Sequence, residues 1–447
     1  MSVEIRALGG FGEVGKNMVA IKVDDEVVIC DMGLHLPNYI TYTEEALGEL
    51  IKIRDKDLIR VGACADDGIL KDWKDKVKGI LISHGHLDHV GAVPYLAPHY
   101  PKAPVISTTF TIEFIRGTLK GERIHLPNKL IGVLPNGKIK VGSLDVEFIH
   151  ITHSIPHTAV VCIHTKYGKI LYGPDYKLDD GPLLGKPPNY AALEKAGHDG
   201  VLVSICDSLN ANFQGHTQSE QDAKKMLNEI LVDTPSEGKA VIVSTFSSHI
   251  ARLKTICDLA RKMHRRVVFL GRSLSKYVDA ARSSHISDFR DVDIVKYGGK
   301  VGTKLKQLRK KGMEKFLIVC TGHQGEPKSV LSKIASNTYG FQLKQGDHVV
   351  FSSNIIPAKI NQDQRAELEA KLIDRGVRLF PGVHVSGHSS LADMHRFLRL
   401  IKPQYVLPIH SEPEVTKQFC QMAQGLGYIT GETCIMLKNG QTLKLES

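Results

Sequence analysis

No run of apolar residues in this sequence is long enough to cross a bilayer. The longest runs, such as residues 79–83 and 316–320, are only a few residues each, whereas a membrane helix needs about 20. The N-terminal hexapeptide, Met-Ser-Val-Glu-Ile-Arg, lacks the apolar segment of a secretory signal. We therefore expect a cytoplasmic protein without a membrane partner.

Closely spaced cysteines are also missing. The eight cysteines are scattered and form no Cys-x-x-Cys pair, which argues against a structural zinc knuckle. Several lie in apolar, strand-like segments, a pattern typical of reduced and buried thiols. Internal repeats and low-complexity segments are absent as well, and the hydrophobic content of 42% predicts ordinary folded domains.

Length and charge set further limits. The 447 residues exceed what one compact core usually holds, so we expect two domains. Lysine and arginine number 58 against 48 aspartates and glutamates, which gives a net charge of +10. This balance attracts polyanions such as nucleic acid, although a solvated basic surface explains the charge equally well.

Two patterns of secondary structure alternate along the chain. Short strands rich in β-branched residues dominate the first 207 residues, among them 3–8, 77–83, 144–151, 159–164 and 169–173. From about residue 210, strands alternate with helices, which predicts a parallel sheet; the strands are 240–244, 267–270, 316–320 and 348–352. After residue 376 the first pattern returns, with a strand at 405–409.

Two local motifs predict details of this framework. Thr217-x-x-Glu220 has the form of a capping box that opens a helix over residues 221–231. Asn439-Gly440, between residues 434–438 and 441–445, is typical of a type I′ turn and predicts a hairpin.

The strongest chemical signal is a histidine-rich turn directly after the strand at 77–83. It contains His84, His86, Asp88 and His89, and imidazole nitrogens and carboxylates are ligands that zinc prefers. Such close groups would be costly to crowd together without a cation. His153, Asp175 and His410 each follow a predicted strand, and together the seven side chains supply enough ligands for two ions.

This His-x-His-x-Asp-His pattern, with its later His, Asp and His, resembles the metallo-β-lactamase superfamily. The resemblance implies one zinc held by His84, His86 and His153 and a second held by Asp88, His89 and His410. It also implies that Asp175 bridges the two and that Asp31 orients the histidine turn from outside the ligand set. Two zinc ions activate a water molecule and neutralise charge on phosphate oxygens.

Further motifs resemble the β-CASP nucleases of that superfamily. Asp207, after the strand at 201–205, is similar to their first motif, His388 to the second and His410 to the third. In that group a histidine at the third motif accompanies RNA-acting members. The resemblance implies catalytic roles for His388 and Asp207 as well as Asp88, with His388 acting on the leaving 3′ oxygen.

Within the group the sequence resembles the ribonuclease J family, archaeal type. The similar segments are Gly9-Gly10-x-x-Glu13-Val14-Gly15-x-Asn17, Thr321-Gly322-x-Gln324-Gly325-Glu326-Pro327 and Val385-Ser386-Gly387-His388. The fold class implied is α/β, a metallo-β-lactamase αβ/βα sandwich with an inserted β-CASP domain built on a parallel βαβ sheet. We place the metallo-β-lactamase domain at 1–207 and 377–447 and the β-CASP domain at 208–376.

Substrate contacts are predicted at two places. In the family the segment His384, Val385, Ser386, Gly387 and His388 binds substrate phosphate, and small residues there let backbone N–H groups approach an anion. Ser247, Ser248, His249 and Arg252 begin a helix after a strand, which favours phosphate binding, although plain helix capping explains them equally well.

The resemblance implies a zinc-dependent 5′→3′ exoribonuclease that acts on 5′-monophosphorylated single-stranded RNA as a homodimer. An endoribonuclease of the same group is an open alternative. So are a small-molecule hydrolase of the superfamily, which the inserted domain and basic charge disfavour, and an inactive RNA-binding scaffold, which the complete ligand set disfavours.

Overall fold

The chain folds into two compact units, as its length suggests. The computed structural model describes residues 2–48, 53–356 and 359–446. The first unit comprises Met1–Asp180, Lys186–Thr217 and Gly387–Ser447, and the second comprises Gly181–Gly185 and Gln218–Ser386. The limits of the inserted domain predicted from the sequence, 208 and 376, stay a prediction; the longer segment of the second unit runs from Gln218 to Ser386.

The strands fall into three sheets. Those of the first unit are β1 Ser2–Gly9, β2 Met18–Val23, β3 Glu26–Cys30, β4 Val77–Ile82, β5 Val105–Thr108, β6 Leu130–Val133, β7 Lys138–Val141, β8 Leu144–His150, β9 Ala159–Thr165, β10 Gly168–Gly173 and β11 Val201–Asp207. Those of the second unit are β12 Val241–Thr245, β13 Arg266–Leu270, β14 Asp293–Val295, β15 Phe316–Cys320, β16 His348–Ser352 and β17 Arg378–Phe380. The chain returns to the first unit with β18 Tyr405–Ile409 and β19 Thr442–Glu446.

The helices cover the faces of these sheets. In the first unit they are α1 Leu36–Gly48, α2 Asp55–Arg60, α3 Leu87–Val90, α4 Val93–Leu96, α5 Thr109–Glu122 and α6 Tyr190–Asp199. The second unit contains α7 Glu220–Leu231, α8 Ile250–Lys262, α9 Arg272–Ser283, α10 Gly298–Lys311, α11 Val330–Ala335 and α12 Lys359–Ile373. The last two, α13 Leu391–Ile401 and α14 Pro413–Gln424, belong to the first unit.

Two sheets pack face to face in the first unit. One has the order β19-β1-β2-β3-β4-β5-β6 and the other β18-β11-β10-β9-β8-β7. Their shared core contains apolar side chains from both, such as Ile21, Leu81, Phe148 and Ile205. The far face of the second sheet is covered by α6, α13 and α14. Phe397 of α13 is fully buried there, and truncating such a side chain to alanine lowers the free energy of unfolding by about 3–5 kcal/mol.

Strand direction determines where the polar side chains of this unit meet. In one sheet β3 and β4 are parallel. In the other, β10 is parallel to β11 and β11 to β18, while β9 is antiparallel to both β8 and β10, so β8 runs with β10. The carboxyl ends of these strands therefore lie at a common edge of each sheet, where ligand sites of α/β proteins form.

The second unit is built on a sheet of order β14-β13-β15-β12-β16-β17 in which every pair is parallel. The central strands β12, β15 and β16 are buried along their whole length, as expected when helices cover both faces of a parallel sheet. The short edge strands are less buried. The predicted parallel βαβ sheet is confirmed.

The capping motif at α7 was predicted in the wrong place. Ser219, not Thr217, is the cap residue, and its partner is Asp222 in place of Glu220. Glu220 instead points into the unit, where its carboxylate accepts hydrogen bonds from Arg252. A buried ion pair thus overrides the local sequence pattern.

The predicted hairpin at Asn439-Gly440 was also wrong. Residues 434–438 form no strand, and β19 pairs antiparallel with β1 at the other end of the sequence. Asn439 Oδ1 accepts a hydrogen bond from the backbone N–H of Phe11, and its Nδ2 donates to Glu13. The turn thus serves a long-range contact that local sequence cannot reveal.

The thiols agree with the sequence. All eight cysteines are buried and free of disulfides, as predicted. None of the helices within residues 2–48, 53–356 and 359–446 combines the length and apolar character needed to cross a membrane.

Candidate metal centre

The predicted ligands converge at one edge of the first unit. His84, His86, Asp88 and His89 follow β4 directly, and His410 follows β18. His153 and Asp175 come a few residues after β8 and β10. Since these strands end at the same edge, side chains from distant stretches of sequence form two clusters of predicted ligands, and a third group, Asp175, His388 and His410, overlaps both.

The first cluster consists of His84, His86, His153 and Asp175. His86 Nδ1 lies 3.2 Å from His84 Nε2 and 3.1 Å from His153 Nε2. Asp175 Oδ2 lies 3.5 Å from His84 Nε2 and 3.4 Å from His153 Nε2. Three ring nitrogens and one carboxylate oxygen therefore face a single point, an arrangement that suits a four-coordinate metal.

The second cluster consists of Asp88, His89 and His410, with the other oxygen of Asp175 beside it. Asp88 Oδ2 lies 3.6 Å from the Nε2 atoms of both His89 and His410. Asp175 Oδ1 lies 3.1 Å from His89 Nε2 and 3.9 Å from His410 Nε2. Each oxygen of Asp175 thus faces a different cluster, which is the geometry of a bridging carboxylate.

Asp31 holds the histidine turn from behind. Its fully buried carboxylate accepts hydrogen bonds from His89 Nδ1, from the N–H and hydroxyl of Ser83 and from the hydroxyl of Tyr172, all at 2.7–2.8 Å. Asp31 and His410 both adopt left-handed backbone, with φ of 60° and 64°. Such conformations cost about 1–3 kcal/mol each and concentrate at functional sites.

The protonation of the rings fits a metal. Burial lowers the pKa of His84, His86 and His153, that of His86 to about 4, so these imidazoles are neutral at pH 7, the form that coordinates metals. Burial also disfavours a charge on His89, but the carboxylates of Asp175 and Asp88 outweigh it and raise the pKa of His89. The carboxylates of Asp175 and Asp88 therefore stabilise a positive charge at or beside the His89 ring.

Asp175 provides a direct test of that fit. Its Oδ1 is buried and accepts no hydrogen bond of acceptable geometry, although His89 Nε2 is only 3.1 Å away. His89 directs Nδ1 to Asp31, so the atom facing Asp175 Oδ1 is Nε2. The raised pKa of His89 shows that positive charge is stabilised between these two atoms, and a metal ion in place of the ring proton would supply it, so the residues present fit a bound metal.

His153 is oriented by a backbone group. Its Nδ1 donates a 2.6 Å hydrogen bond to the carbonyl oxygen of Gly387, which leaves Nε2 for the cluster. A Cβ atom at position 387 would lie 3.0 Å from His153 Cε1 and 2.8 Å from the Ser154 side chain. Glycine at 387 is therefore required for this close approach.

His388 and Asp207 form a pair beside the clusters. His388 Nδ1 lies 2.8 Å from Asp207 Oδ2, and His388 Nε2 lies 3.6 Å from Asp175 Oδ2. Burial of His388 opposes protonation, but the charges of Asp207 and Asp175 outweigh it and raise its pKa to about 9. The ring is thus suited to donate a proton at neutral pH.

One residue of this centre was not singled out by the sequence. Asn17 is fully buried, and its amide Nδ2 lies 3.1 Å from His89 Nε2 and 2.8 Å from His410 Nδ1. A lone asparagine before a strand is common, so only its place in the Gly9–Asn17 motif could have drawn attention to it.

A group of hydroxyls lies next to His410. Ser411 follows it, and its hydroxyl lies 2.7 Å from Ser208 Oγ and 2.8 Å from Thr416 Oγ1. All three hydroxyls are buried. The serine therefore joins the end of β11 to α14 while His410 keeps its place in the cluster.

Arg252, predicted to contact RNA, is fully buried inside the second unit. Its guanidinium donates to both carboxylate oxygens of Glu220 at 3.0 and 2.7 Å, to Ser352 Oγ at 2.7 Å and to the carbonyl oxygen of Val383 at 3.2 Å. These contacts occupy the side chain in the packing of α7, α8 and β16.

The neighbouring predicted contacts also belong to the second unit. His249 caps α8 by accepting from the N–H of Arg252, and its Nε2 lies 3.1 Å from Glu220. Ser247 shares a 2.9 Å hydrogen bond with Ser273, and Ser248 is buried. In the phosphate-binding segment, Val385 is buried, whereas His384 and Ser386 are partly exposed.

Comparison with protein-family models agrees with this architecture. Residues 69–204 match the metallo-β-lactamase superfamily, residues 238–366 match the β-CASP domain of ribonuclease J, and residues 378–435 match the Zn-dependent metallo-hydrolase RNA specificity domain. The predicted fold class, a metallo-β-lactamase fold with an inserted β-CASP domain, is confirmed.

Similar proteins share nearly the whole chain. It is 40% identical to Ribonuclease J of Methanocaldococcus jannaschii, with 100% of this chain and 99% of that protein aligned. It is 37% identical to Ribonuclease J of Pyrococcus abyssi, with 99% and 97% aligned. Ribonuclease J of Thermus thermophilus is 32% identical, with 99% of this chain and 74% of the longer bacterial protein aligned.

A solved structure shares the fold. The crystal structure of a protein of unknown function from Enterococcus faecalis V583 covers 100% of both chains with a TM-score of 0.68 at 17% identity. At that identity the likeness concerns the fold alone.

Proposed function

This chain belongs to the ribonuclease J family and is a metal-dependent ribonuclease, and we propose that it degrades 5′-monophosphorylated single-stranded RNA from the 5′ end with two bound zinc ions. The observation that carries the two-metal centre is the division of Asp175 between two ligand clusters, one oxygen toward each; the 5′-end preference rests on the resemblance to the ribonuclease J family. Family membership argues against a small-molecule hydrolase, and the complete ligand set argues against an inactive scaffold.

His84, His86 and His153 would hold one zinc, and Asp88, His89 and His410 the other, with Asp175 between them. Bound zinc supplies an activated water and neutralises charge on phosphate oxygens. The protein's own contribution is to fix the rings: Asp31 holds His89, and the Gly387 carbonyl holds His153. Asp88 also belongs to the catalytic set through its carboxylate at the second zinc.

His388 is proposed as the proton donor to the leaving 3′ oxygen. Asp207 accepts from its Nδ1, so Nε2 faces the clusters, 3.6 Å from Asp175. A donor must lie within hydrogen-bond reach of the group that it protonates and must carry its proton at working pH. The position of Nε2 beside the ligand clusters supports the first condition, and the raised pKa of His388 supports the second.

Substrate binding is assigned to the segment His384–His388 and, beyond it, to Ser247 and Ser248. Gly387 and His388 lie at the metal centre, which supports a phosphate position beside them. The buried contacts of Arg252 and His249 favour capping and packing for these two residues. A homodimer stays a prediction, which sedimentation velocity of the purified protein tests.

A labelled-RNA assay tests the direction of cleavage. Identical RNAs with a 5′ monophosphate or a 5′ hydroxyl, each labelled internally and at the 3′ end, are incubated with the zinc-loaded protein. We expect mononucleotides from the monophosphate substrate while the 3′-labelled species shortens without internal fragments. Discrete internal fragments from both RNAs would instead identify an endoribonuclease.

Metal analysis tests the centre itself. Elemental analysis of the dialysed protein should give two zinc ions per chain, and His84→Ala should lose at least one of them together with RNA cleavage. If His84→Ala cleaves RNA as fast as the parent, the metal assignment is wrong. His198→Ala, which changes a histidine with a 92% exposed side chain, is the matched control and should retain both zinc and activity.

A further inference from the structure

Asn17 lies between the two histidines of the second cluster, although it offers no ligand that the family pattern requires. It is fully buried, just before β2. Its backbone is fastened independently of its side chain, because its N–H donates to the Asp88 carbonyl and its own carbonyl accepts from the N–H of Gly33. The side-chain amide is therefore not needed to hold the backbone of Asn17 in place.

Each histidine ligand with Nε2 toward the centre needs a partner at Nδ1. His89 has the Asp31 carboxylate, His153 has the Gly387 carbonyl, and His84 has the Ser83 hydroxyl at 3.0 Å. The partner of His410 Nδ1 is the Asn17 amide, with Nδ2 at 2.8 Å and Oδ1 at 3.2 Å. Asn17 thus occupies the position that a carboxylate or carbonyl takes at other metal-binding histidines.

The two ends of an amide have opposite effects on that ring. A neutral imidazole that binds metal through Nε2 carries its proton on Nδ1, and this proton requires an acceptor, which Oδ1 supplies. If Nδ2 donates to Nδ1 instead, the ring proton moves to Nε2 and blocks coordination there. Both amide atoms lie within hydrogen-bond distance of His410 Nδ1, with Nδ2 at 2.8 Å and Oδ1 at 3.2 Å. Because Nδ2 also donates to the Asp88 carbonyl at 3.2 Å and has no lone pair to offer, Oδ1 is the amide atom that can accept the ring proton.

We propose that Asn17 is a positioning residue that selects the metal-binding tautomer of His410 by accepting its Nδ1 proton through Oδ1. The inference rests on the proposed metal centre and adds a determinant of the second zinc. It concerns the second zinc alone, because the hydrogen bonds of His84 and His153 do not involve Asn17. A substitution of Asn17 should therefore weaken binding of the second zinc and leave the affinity for the first unchanged.

The experiment is a calorimetric titration of zinc into the metal-free protein, with a chelator competitor to resolve tight binding. Asn17→Leu replaces the amide by an apolar group of similar volume, and Asn17→Asp keeps an acceptor but cannot donate. We expect two equivalents of zinc in the parent. Asn17→Leu should weaken the second by about 10- to 100-fold and leave the first unchanged, whereas Asn17→Asp should keep both.

Asn128 provides the matched control. It is a buried asparagine of the same unit whose Nδ2 donates to the carbonyls of Tyr100 and Ala103, both at 2.8 Å. Asn128→Leu should lower the melting temperature of the metal-free protein without changing either zinc affinity. This comparison separates loss of a buried hydrogen bond from loss of the His410 partner.

The outcomes distinguish the inference from its premise. A parent protein that binds fewer than two zinc ions contradicts the metal centre. If the parent binds two and Asn17→Leu binds both as tightly, Asn17 is a packing residue and the inference is wrong. Equal weakening by Leu and Asp also overturns it. Should Asn17→Leu fail to fold, retention of the second zinc by Asn17→Asp supports the inference and its loss rejects it.

Discussion

Asp207 accepts a 2.8 Å hydrogen bond from His388 across 181 residues of sequence. Asp207 ends a strand of the first unit, and His388 lies just after the chain re-enters that unit. The bond fixes the ring so that Nε2 faces Asp175. Orientation of the ring, as well as its charge, thus depends on one buried carboxylate.

Asp207→Asn should lower kcat for RNA cleavage by about 100-fold or more, because loss of the Asp207 charge lowers the pKa of His388, so that less of the ring is protonated and able to donate at neutral pH. Zinc content should stay at the parental value. Asp393→Asn is the control, since Asp393 is a buried carboxylate of the same unit that pairs with His216 at 2.7 Å. If both variants lose activity equally, the effect of Asp207 is on folding and not on His388.

Gly387→Ala should weaken the first zinc and reduce kcat by about 10-fold or more. The new Cβ would lie 3.0 Å from His153 and would displace the ring or its carbonyl partner. Gly117→Ala, in α5, meets no atom within 4 Å and should stabilise the helix by up to about 1 kcal/mol. Zinc titration and steady-state kinetics of both variants provide the measurement, and parental zinc affinity in Gly387→Ala would contradict the proposed contact.

Arg252→Met should lower the free energy of unfolding by about 3–5 kcal/mol, because it leaves the buried Glu220 carboxylate without its cation. Glu220→Leu combined with Arg252→Met should recover part of that loss. Lys254→Met removes an exposed ion pair on the same helix and should change stability by less than about 1 kcal/mol. Urea unfolding measures all three.

RNA binding by Arg252→Met decides between packing and phosphate contact. The dependence of RNA affinity on salt should match the parent, since the guanidinium is buried. If the stability is unchanged and the salt slope falls by about one, Arg252 contacts a phosphate.

His99 should make stability depend on pH. The hydrogen bond that His99 donates to Asp67, opposed by burial and reinforced by the charges of Asp67 and Asp55, raises the pKa of His99. Because the folded pKa exceeds the unfolded value of about 6.5, the stabilisation is complete below pH 6.5 and is lost as pH rises through the folded pKa. His99→Gln should therefore destabilise more at pH 5.5 than at pH 9.

Urea unfolding of parent and His99→Gln at both pH values checks this, with an expected difference of about 1–2 kcal/mol at the lower pH. His198→Gln, whose side chain is 92% exposed, should have little effect at either pH. A larger loss for His99→Gln at pH 9 would reverse the predicted sign.

The histidine turn was predictable because His84, His86, Asp88 and His89 are neighbours in sequence, and a six-residue turn after a strand has few ways to place them. His153, Asp175 and His410 are isolated in sequence. They were found because each follows a strand, and parallel strands place their ends together. The alternation of strands and helices likewise predicted the parallel sheet of the second unit.

What local patterns missed depends on distant partners. Asn17 contacts His410 across 393 residues, and nothing near it in sequence marks that contact. Glu220 has the spacing of a capping residue, yet its carboxylate forms a buried ion pair with Arg252 instead. Asn439-Gly440 has the composition of a hairpin turn, but β19 finds its hydrogen-bond partners in β1.

The second unit is inserted in the sequence of the first, and this determines the order in which the residues of the metal centre are synthesised. β18, β19, His388 and His410 all come after the inserted segment. While a ribosome is still making that segment, the emerging chain has the histidine turn but not His410. Strand β1 also lacks its neighbour β19, which has not yet been synthesised. The proposed metal centre therefore cannot be completed during translation until the residues that follow the inserted segment have emerged.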